Sequence, residues 1–429
     1  MSGKGVRDLR HRFTAIGVGL IIVLQFALPV SASQETKPAR HWTFNRPVPT
    51  EILLAVIPIN FTKDQRSPGD PSRIGDVIFN EPNLDQRSES LVSYFDEASY
   101  GALSITGTVF PLVTVPASTG DCNGAYSGWG RAAVERLTAQ GEDFDGYTHF
   151  MYVTTHRSCG HSGIADLSGD ESTINLTQGW SDTPTGRNQF LHVVTHELSH
   201  NLGATHAGAI RCKEAGMSVP GITATCRAAH AFGRFGGSDT WEYGDNLDIL
   251  GGNLWPKYVP QPSAISRFLM GFVTEDEMPI VEGTGEYDVE LNLLYERGAA
   301  IKGIRIRRAD PAPYGMFGMT DQGNAPEICL DWRRRQGRFD RFPAVVGSGI
   351  SIRLCDATGS MQRASHGNSL LVDMSPGSRS GFRDWLDGAL KVGQIFVDDV
   401  SGVTIELTSL RYNASDPAAN VANLHIVIP

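Results

Sequence analysis

The stretch HELSHNLGATH runs from His196 to His206 and decides the fold and the chemistry of this chain. On a helix, residues four apart share a face, so His196 and His200 can present ring nitrogens to one metal ion. Gly203 permits a backbone conformation that a β-carbon would disfavour, which lets His206 return as a third ligand. Three histidines leave one coordination position open. The stretch therefore predicts a catalytic zinc centre rather than a closed structural one.

Glu197 follows the first histidine directly, so its carboxylate starts beside the metal. There it is expected to hold and deprotonate a zinc-bound water without ligating the metal. Two other interpretations are surface histidines on an amphipathic helix and a site that binds metal without catalysis. Because every position of the extended motif is occupied, we expect an active hydrolase.

The motif resembles that of the metzincin clan of zinc endopeptidases, His-Glu-x-x-His-x-x-Gly-x-x-His. Within that clan the chain is most similar to the gametolysin family. The resemblance implies a mixed α/β (α+β) peptidase domain, no covalent intermediate, and a protein substrate extended beside the segment 163–168. Further matches spread over residues 51–275 are Ser99-Tyr100-Gly101, Cys159-Gly160, Gly163-Ile164-Ala165 and Tyr243-Gly244-Asp245.

One position departs from the family pattern. Metzincins carry a methionine in a tight turn beneath the zinc, and the similar segment 248–252 has Leu250 in its place. Leucine and methionine have similar volumes, so we expect the turn to form. The replacement bears on the fine positioning of the histidines and on the catalytic rate.

The N-terminus predicts export. Four basic residues precede an apolar stretch over residues 13–30 that ends in small residues, which is typical of a secretory signal peptide covering residues 1–32. An uncleaved membrane anchor and a periplasmic location are the alternatives. Residues 33–48 read as an extended lead-in. With the signal removed we expect a secreted protein without stable membrane association.

Charge and cysteine content agree with that location. The 429 residues include 47 Asp+Glu against 37 Lys+Arg, and without a long basic run nucleic-acid binding is not expected. The cysteine number is even and suits an oxidising compartment, although sequence leaves fifteen pairings open. We predict sequential pairing. The cysteines are Cys122, Cys159, Cys212, Cys226, Cys329 and Cys355.

Periodicity predicts two domains. Strand and helix patterns mix through residues 49–275, including helices at 90–99, 129–139 and 188–202, and indicate the zinc peptidase domain. Residues 283–429 alternate with period two and predict an all-β C-terminal domain, with a sandwich favoured.

Several polar residues near the motif remain open. Asp166, Asp170 and Glu171 lie in a loop that could hold Ca²⁺, although a solvated loop is the simpler interpretation. Tyr243 and Tyr258 could assist an oxyanion, but tyrosine packing is favoured for both. His156, His161 and His230 could orient ligands, and His192 is not included in the site.

The sequence thus predicts a secreted zinc metalloendopeptidase with Glu197 as catalytic base and His196, His200 and His206 as metal ligands. Its partners would be protein or glycoprotein substrates, and its oligomeric state is open. The first alternative is a zinc amidase acting on cell-wall crosslinks. The second is a non-catalytic extracellular adhesin in which the zinc site is structural.

Overall fold

The structure is a computed structural model, and the predicted signal peptide (1–32) and lead-in (33–48) lie outside its described residues. Within the described part of the chain, no helix is long and apolar enough to cross a membrane. The described residues are 49–79, 89–116, 128–155, 161–176, 183–210, 212–214, 217–218, 220–222, 240–241, 243–252, 259–298, 300–309, 326–357, 367–379, 381–416 and 419–429.

The first sheet is built around β1 (Glu51–Phe61), whose near-continuous apolar run is buried, as expected for a central parallel strand. The strand order is β2-β1-β4-β6-β5, with β3 also pairing with β1. β5 lies at the edge and pairs antiparallel with β6, whereas the other pairs are parallel. The other strands are β2 (Ser104–Val109), β3 (Val113–Val115), β4 (His149–Thr154), β5 (Gly163–Ala165) and β6 (Glu171–Asn175).

Helices accompany this sheet, and side chains cap the first turn of several of them. α2 (Leu91–Ala98) and α3 (Trp129–Ala139) confirm two predicted helices. α1 (Pro71–Ile78) was missed, although Asp70 caps it by accepting a hydrogen bond from the Ser72 backbone amide at 2.9 Å. α4 (Pro184–Asn201) is the helix predicted over 188–202, and α5 is Ala264–Leu269.

The second sheet joins the metal-binding segment to the C-terminal part of the chain. β7 (His206–Ile210) pairs in parallel with β16 (Gly367–Val372). The predicted division at residues 275–283 stays a prediction, but this sheet contains strands from both sides of it. The order is β10-β7-β16-β15-β14-β13-β11, with β10 (Thr240–Trp241), β11 (Ile280–Val281), β13 (Ile304–Arg307), β14 (Glu327–Asp331) and β15 (Ser351–Cys355).

The third sheet confirms that the C-terminal region is rich in antiparallel strands. Its order is β12-β19-β18-β17, and one hydrophobic cluster contains residues from this sheet and from the second one, such as Ile405 and Ile352. The predicted sandwich itself stays a prediction. The strands are β12 (Gly285–Asn292), β17 (Ile395–Val397), β18 (Thr404–Arg411) and β19 (Val421–Ile428); β8 (Lys213–Glu214) pairs with β9 (Met217–Ser218), and two 3₁₀ helices span Ala344–Ser348 and Gly381–Asp387.

One predicted disulfide is confirmed. Cys329 and Cys355 are bonded, with Cα atoms 5.9 Å apart on the neighbouring strands β14 and β15. Cys212 is also disulfide-bonded, and its partner lies outside the described residues. The other two predicted pairs therefore stay predictions.

Candidate metal centre

The metal-binding motif occupies the last turns of α4 and the chain that follows. The helix begins earlier than predicted because Thr183 caps it and Pro184 fills its first position. It ends at Asn201, and two residues later Gly203 has a φ of 107°, where a β-carbon is disfavoured. The chain then begins β7 at His206. The helix, the turn at Gly203 and the strand thus bring the rings of His196 and His206, ten positions apart in sequence, close together.

The three predicted ligands converge. One ring nitrogen from each of His196, His200 and His206 forms a group whose atoms all lie within 4.8 Å of one another. The ring centroids are 4.7 Å apart for His196 and His200, and 4.8 Å apart for His200 and His206. This spacing suits three imidazoles around one ion.

Backbone carbonyls fix the tautomers of two ligands. His196 Nδ1 lies 2.8 Å from the Ile249 carbonyl, and His200 Nδ1 lies 2.8 Å from the Ala204 carbonyl. A carbonyl only accepts, so each Nδ1 carries the proton and donates it. The two Nε2 atoms, 3.1 Å apart, therefore present lone pairs to each other. A cation between them would relieve this contact, so the donor set fits zinc.

Glu197 lies beside this group and is only 5% exposed. Burial raises the pKa of Glu197 to about 8. Its carboxylate packs against the backbone of Gly163 at the start of β5. A buried glutamate that directly follows His196 in sequence is a candidate general base.

His192 lies one helical turn before His196 and does not join the ligand group. The two ring centroids are 6.0 Å apart. Burial lowers the pKa of His192 to about 3, and its Nδ1 has no hydrogen-bond partner within the described residues. The structure thus contains a neutral fourth histidine behind the first ligand.

Tyr243 packs at the rim of the site. Its ring centroid is 4.2 Å from that of His206, and the residue is 41% exposed. Its φ of 47° is unusual for a bulky residue. The packing interpretation agrees with this contact, and an oxyanion role stays a prediction. Tyr258, His156 and His230 lie outside the described residues.

The turn that resembles the methionine turn is present, and it acts through its backbone. Leu250 is fully buried, and its carbonyl accepts a hydrogen bond at 3.0 Å from the amide of Ala207, the residue after the third ligand. The Ile249 carbonyl accepts the proton of His196. Asp248 shapes the turn by accepting from the Leu250 amide at 2.9 Å. The turn therefore contacts two of the three ligand segments.

A layer of buried charges lies behind this turn. Arg353 of β15 donates to Asp245 at 2.7 Å and to Asp331 at 2.9 Å, and all three side chains are at most 1% exposed. Arg333 pairs with Asp340 at 2.7 Å and also donates to the Leu247 carbonyl. Arg353 of β15 and Arg333, which follows β14, thus contact the residues just before the turn.

Other candidate metal ligands do not form a second site. Asp166, Asp170 and Glu171 are not among the ligand groups of the described residues, so calcium gains no support there. Instead, Asn201 at the end of α4 donates to the Asp166 and Glu171 carbonyls at 2.9 and 3.0 Å. A second group, Glu327 with Cys329 and Cys355, contains the disulfide and offers no thiolate.

His161 contacts the neighbouring strand through its backbone. Its carbonyl accepts a hydrogen bond from the Asn175 side chain at 3.1 Å. It is absent from the ligand group. The role suggested for it in orienting ligands stays a prediction.

Comparison with known proteins agrees with a zinc peptidase at a coarse level. No protein-family profile matches the chain. Over 112 residues it is 31% identical to matrix metalloproteinase-26 of Homo sapiens, a match that covers 26% of this chain and 38% of that protein. The chain therefore spans under half the length of that relative. The similarity gives no support for the narrower gametolysin-like family.

Two solved archaemetzincin structures show distant similarity. The one from Methanopyrus kandleri is 13% identical, covers 52% of this chain and 96% of that chain, and has a TM-score of 0.29. The one from Archaeoglobus fulgidus is 17% identical, covers 37% and 80%, and has a TM-score of 0.22. These TM-scores are too low to establish a common fold.

Sequence reasoning singled out the three histidines that converge, and it missed what surrounds them. The carbonyls of Ile249 and Ala204 carry no side-chain signal, so no pattern could have found them. Gly163 was visible as part of a family motif, but its contact with Glu197 joins residues on different elements. Arg353 lies far along the chain from the turn it supports.

Proposed function

We propose that the chain is a zinc-dependent endopeptidase. One observation carries the proposal: three histidine nitrogens converge, two in a tautomer fixed by carbonyls, with a buried glutamate beside them. His196, His200 and His206 would hold the ion. When bound, zinc polarises the scissile carbonyl and lowers the pKa of a coordinated water.

Glu197 is the proton carrier in this proposal. Its carboxylate takes a proton from the attacking water and passes it to the nitrogen of the leaving amine as the peptide bond breaks. No side-chain nucleophile is needed.

The substrate proposed is an extended segment of an extracellular protein or glycoprotein. β5 is the edge strand of the first sheet, and its first residue contacts Glu197. A peptide lying along this edge would pair with β5 and bring one of its carbonyls to the metal position. Export rests on the N-terminal signal and on the disulfide Cys329–Cys355, and membership of the gametolysin-like family rests on the motif matches.

The test is hydrolysis of casein by the wild type and by Glu197→Ala at matched zinc content. We expect the variant to keep zinc and its circular dichroism spectrum and to lose about 10²- to 10⁴-fold in rate. Glu135→Ala is the matched control, because Glu135 is an exposed helical glutamate on α3.

Equal rates in wild type and Glu197→Ala would refute the proposed mechanism. Zinc-loaded wild type that cleaves no protein substrate would refute the endopeptidase. Trials on crosslinked cell-wall peptides would then separate an amidase from a binding protein.

A further inference from the structure

Gly163 has no backbone reason to be glycine. It begins β5 and pairs with Ile174 of β6 in ordinary antiparallel register. Its φ is not among the positive values of the chain, in contrast to Gly203 at the end of α4. A residue with a side chain could therefore adopt the same backbone conformation. The cause of the glycine must be sought in what surrounds it.

What surrounds Gly163 is the side chain of Glu197. A β-carbon at position 163 would lie 2.2 Å from Glu197 Oε1 and 2.6 Å from both Cδ and Cγ. These distances are far below van der Waals contact. The glutamate thus occupies the space in which any other residue would place its first carbon.

The side chain of Glu197 is oriented by packing, whereas hydrogen bonds orient the histidines. His196 and His200 are each oriented by a carbonyl, whereas the side chain of Glu197 forms no hydrogen bond with any described residue. It is nevertheless 5% exposed, so few positions are open to its carboxylate. Contact with β5 at Gly163, where no side chain projects, therefore determines where the Glu197 carboxylate lies.

We propose that Gly163 is a positioning residue for Glu197. Its missing side chain leaves the slot in which the carboxylate lies beside the metal ligands. The inference rests on the proposed function and deepens it, because the strand that would pair with substrate also places the base. One strand then fixes the distance between the scissile carbonyl and the carboxylate.

Replacing Gly163 is expected to impair catalysis without changing the fold. The atoms that a new β-carbon would meet belong to a side chain that can rotate, not to backbone. In Gly163→Ala the protein therefore keeps its fold and Glu197 swings away from the slot. We expect kcat to fall about 100-fold, as for a displacement of about 1 Å at a catalytic group, with KM within about threefold.

Gly75→Ala is the matched control. A β-carbon at Gly75 in α1 would meet only Val109 Cγ2, at an ordinary 3.5 Å. This variant should match the wild type in kcat and zinc content, and it should unfold at the same or a slightly higher temperature because alanine favours the helix. It separates a specific effect at position 163 from the general effect of replacing a glycine.

A binding measurement tests the coupling between Gly163 and Glu197 without requiring substrate turnover. Acetohydroxamate chelates zinc through two oxygens and shares a proton with a nearby carboxylate. Calorimetry on the zinc-loaded wild type, Gly163→Ala, Glu197→Gln and the double variant forms a thermodynamic cycle. We expect each single variant to bind about tenfold more weakly, as for a lost charge-assisted hydrogen bond, and the double variant no more weakly than Glu197→Gln alone.

The outcomes are distinct. Additive losses in the cycle, or a Gly163→Ala enzyme within about threefold of wild-type kcat, would overturn the role of Gly163. Loss of zinc from Gly163→Ala would overturn it too, because the glycine would then support the ligands and not the base. A wild type that binds zinc and hydroxamate but cleaves no protein would instead defeat the proposed function, and the cycle would still report on Gly163.

Discussion

The two sides of the metal centre are held by different kinds of contact. On the helix side, His196, Glu197 and His200 are placed by the period of α4, so local spacing determines their geometry. On the turn side, the segment around Leu250 is held by Arg353 of β15 in the second sheet and by Arg333, which lies just after β14. The groups proposed to do the chemistry are close in sequence, whereas the groups that support them are not.

The largest expected effect comes from breaking the turn side. Arg353→Met removes the partner of Asp245 and Asp331 and leaves two carboxylates buried. We expect the free energy of unfolding to fall by about 3–5 kcal/mol, as for other broken buried ion pairs. Zinc affinity should fall as well, because Asp245 leads into the turn that orients His196. Urea unfolding and zinc titration measure the two effects.

An exposed ion pair provides the matched control. Arg379 lies 3.5 Å from Asp387, and its side chain is 43% exposed. Arg379→Met should cost less than about 1 kcal/mol and leave zinc affinity unchanged. Similar losses in the two variants would show that the buried layer has no special role beneath the site.

The difference between local and distant contacts explains which features of the fold and of the site could be predicted from the sequence. The predictions for His196, Glu197 and His200 follow from spacing on one helix. The prediction for His206 follows from the extended motif, and the central strand β1 follows from its apolar run. Arg353 and Asp245 are 108 positions apart, and neither belongs to a pattern that would pair them. The continuity of β7 with β16 was missed for the same reason, because parallel pairing between distant segments leaves no local periodicity.

The second prediction concerns Leu250, where the chain departs from the metzincin pattern. Because the turn acts through the carbonyls of Ile249 and Leu250, Leu250→Met should cost less than about 1.5 kcal/mol. It should also leave kcat and zinc affinity within about threefold, since no backbone group changes. Leu250→Ala, which opens a cavity under the ligands, should cost about 2–5 kcal/mol. A tenfold rise in kcat for Leu250→Met would show that the side chain itself tunes the site.

The third prediction concerns a buried carboxyl at the end of β16. Burial, with Asp384 nearby, raises the pKa of Asp373 to about 7, and Asp373 Oδ2 has no hydrogen-bond partner within the described residues. The folded state then holds this proton more tightly than the unfolded state. Stability should therefore fall as the pH rises from about 4 to about 7.

Asp373→Asn should remove that dependence, because an amide supplies N–H donors at every pH. We expect the variant to be about 1–3 kcal/mol more stable than the wild type at pH 8 and close to it at pH 4. Thermal unfolding at both pH values measures the change, and the exposed Asp399→Asn serves as control. A variant that is less stable than the wild type at pH 8 would contradict the expected protonation of Asp373.

The smallest expected effect lies on the helix side. Thr183 Oγ1 accepts a hydrogen bond from the Gly186 amide at 3.1 Å, so Thr183→Ala should cost about 1 kcal/mol while Thr183→Ser costs little. His196 lies about three turns further along α4, so zinc affinity should not change. If zinc affinity fell in step with stability, the ligands would depend on the whole helix and not on its last turns. The contacts that place His196 and His200 would then extend as far along the chain as those that hold the turn around Leu250.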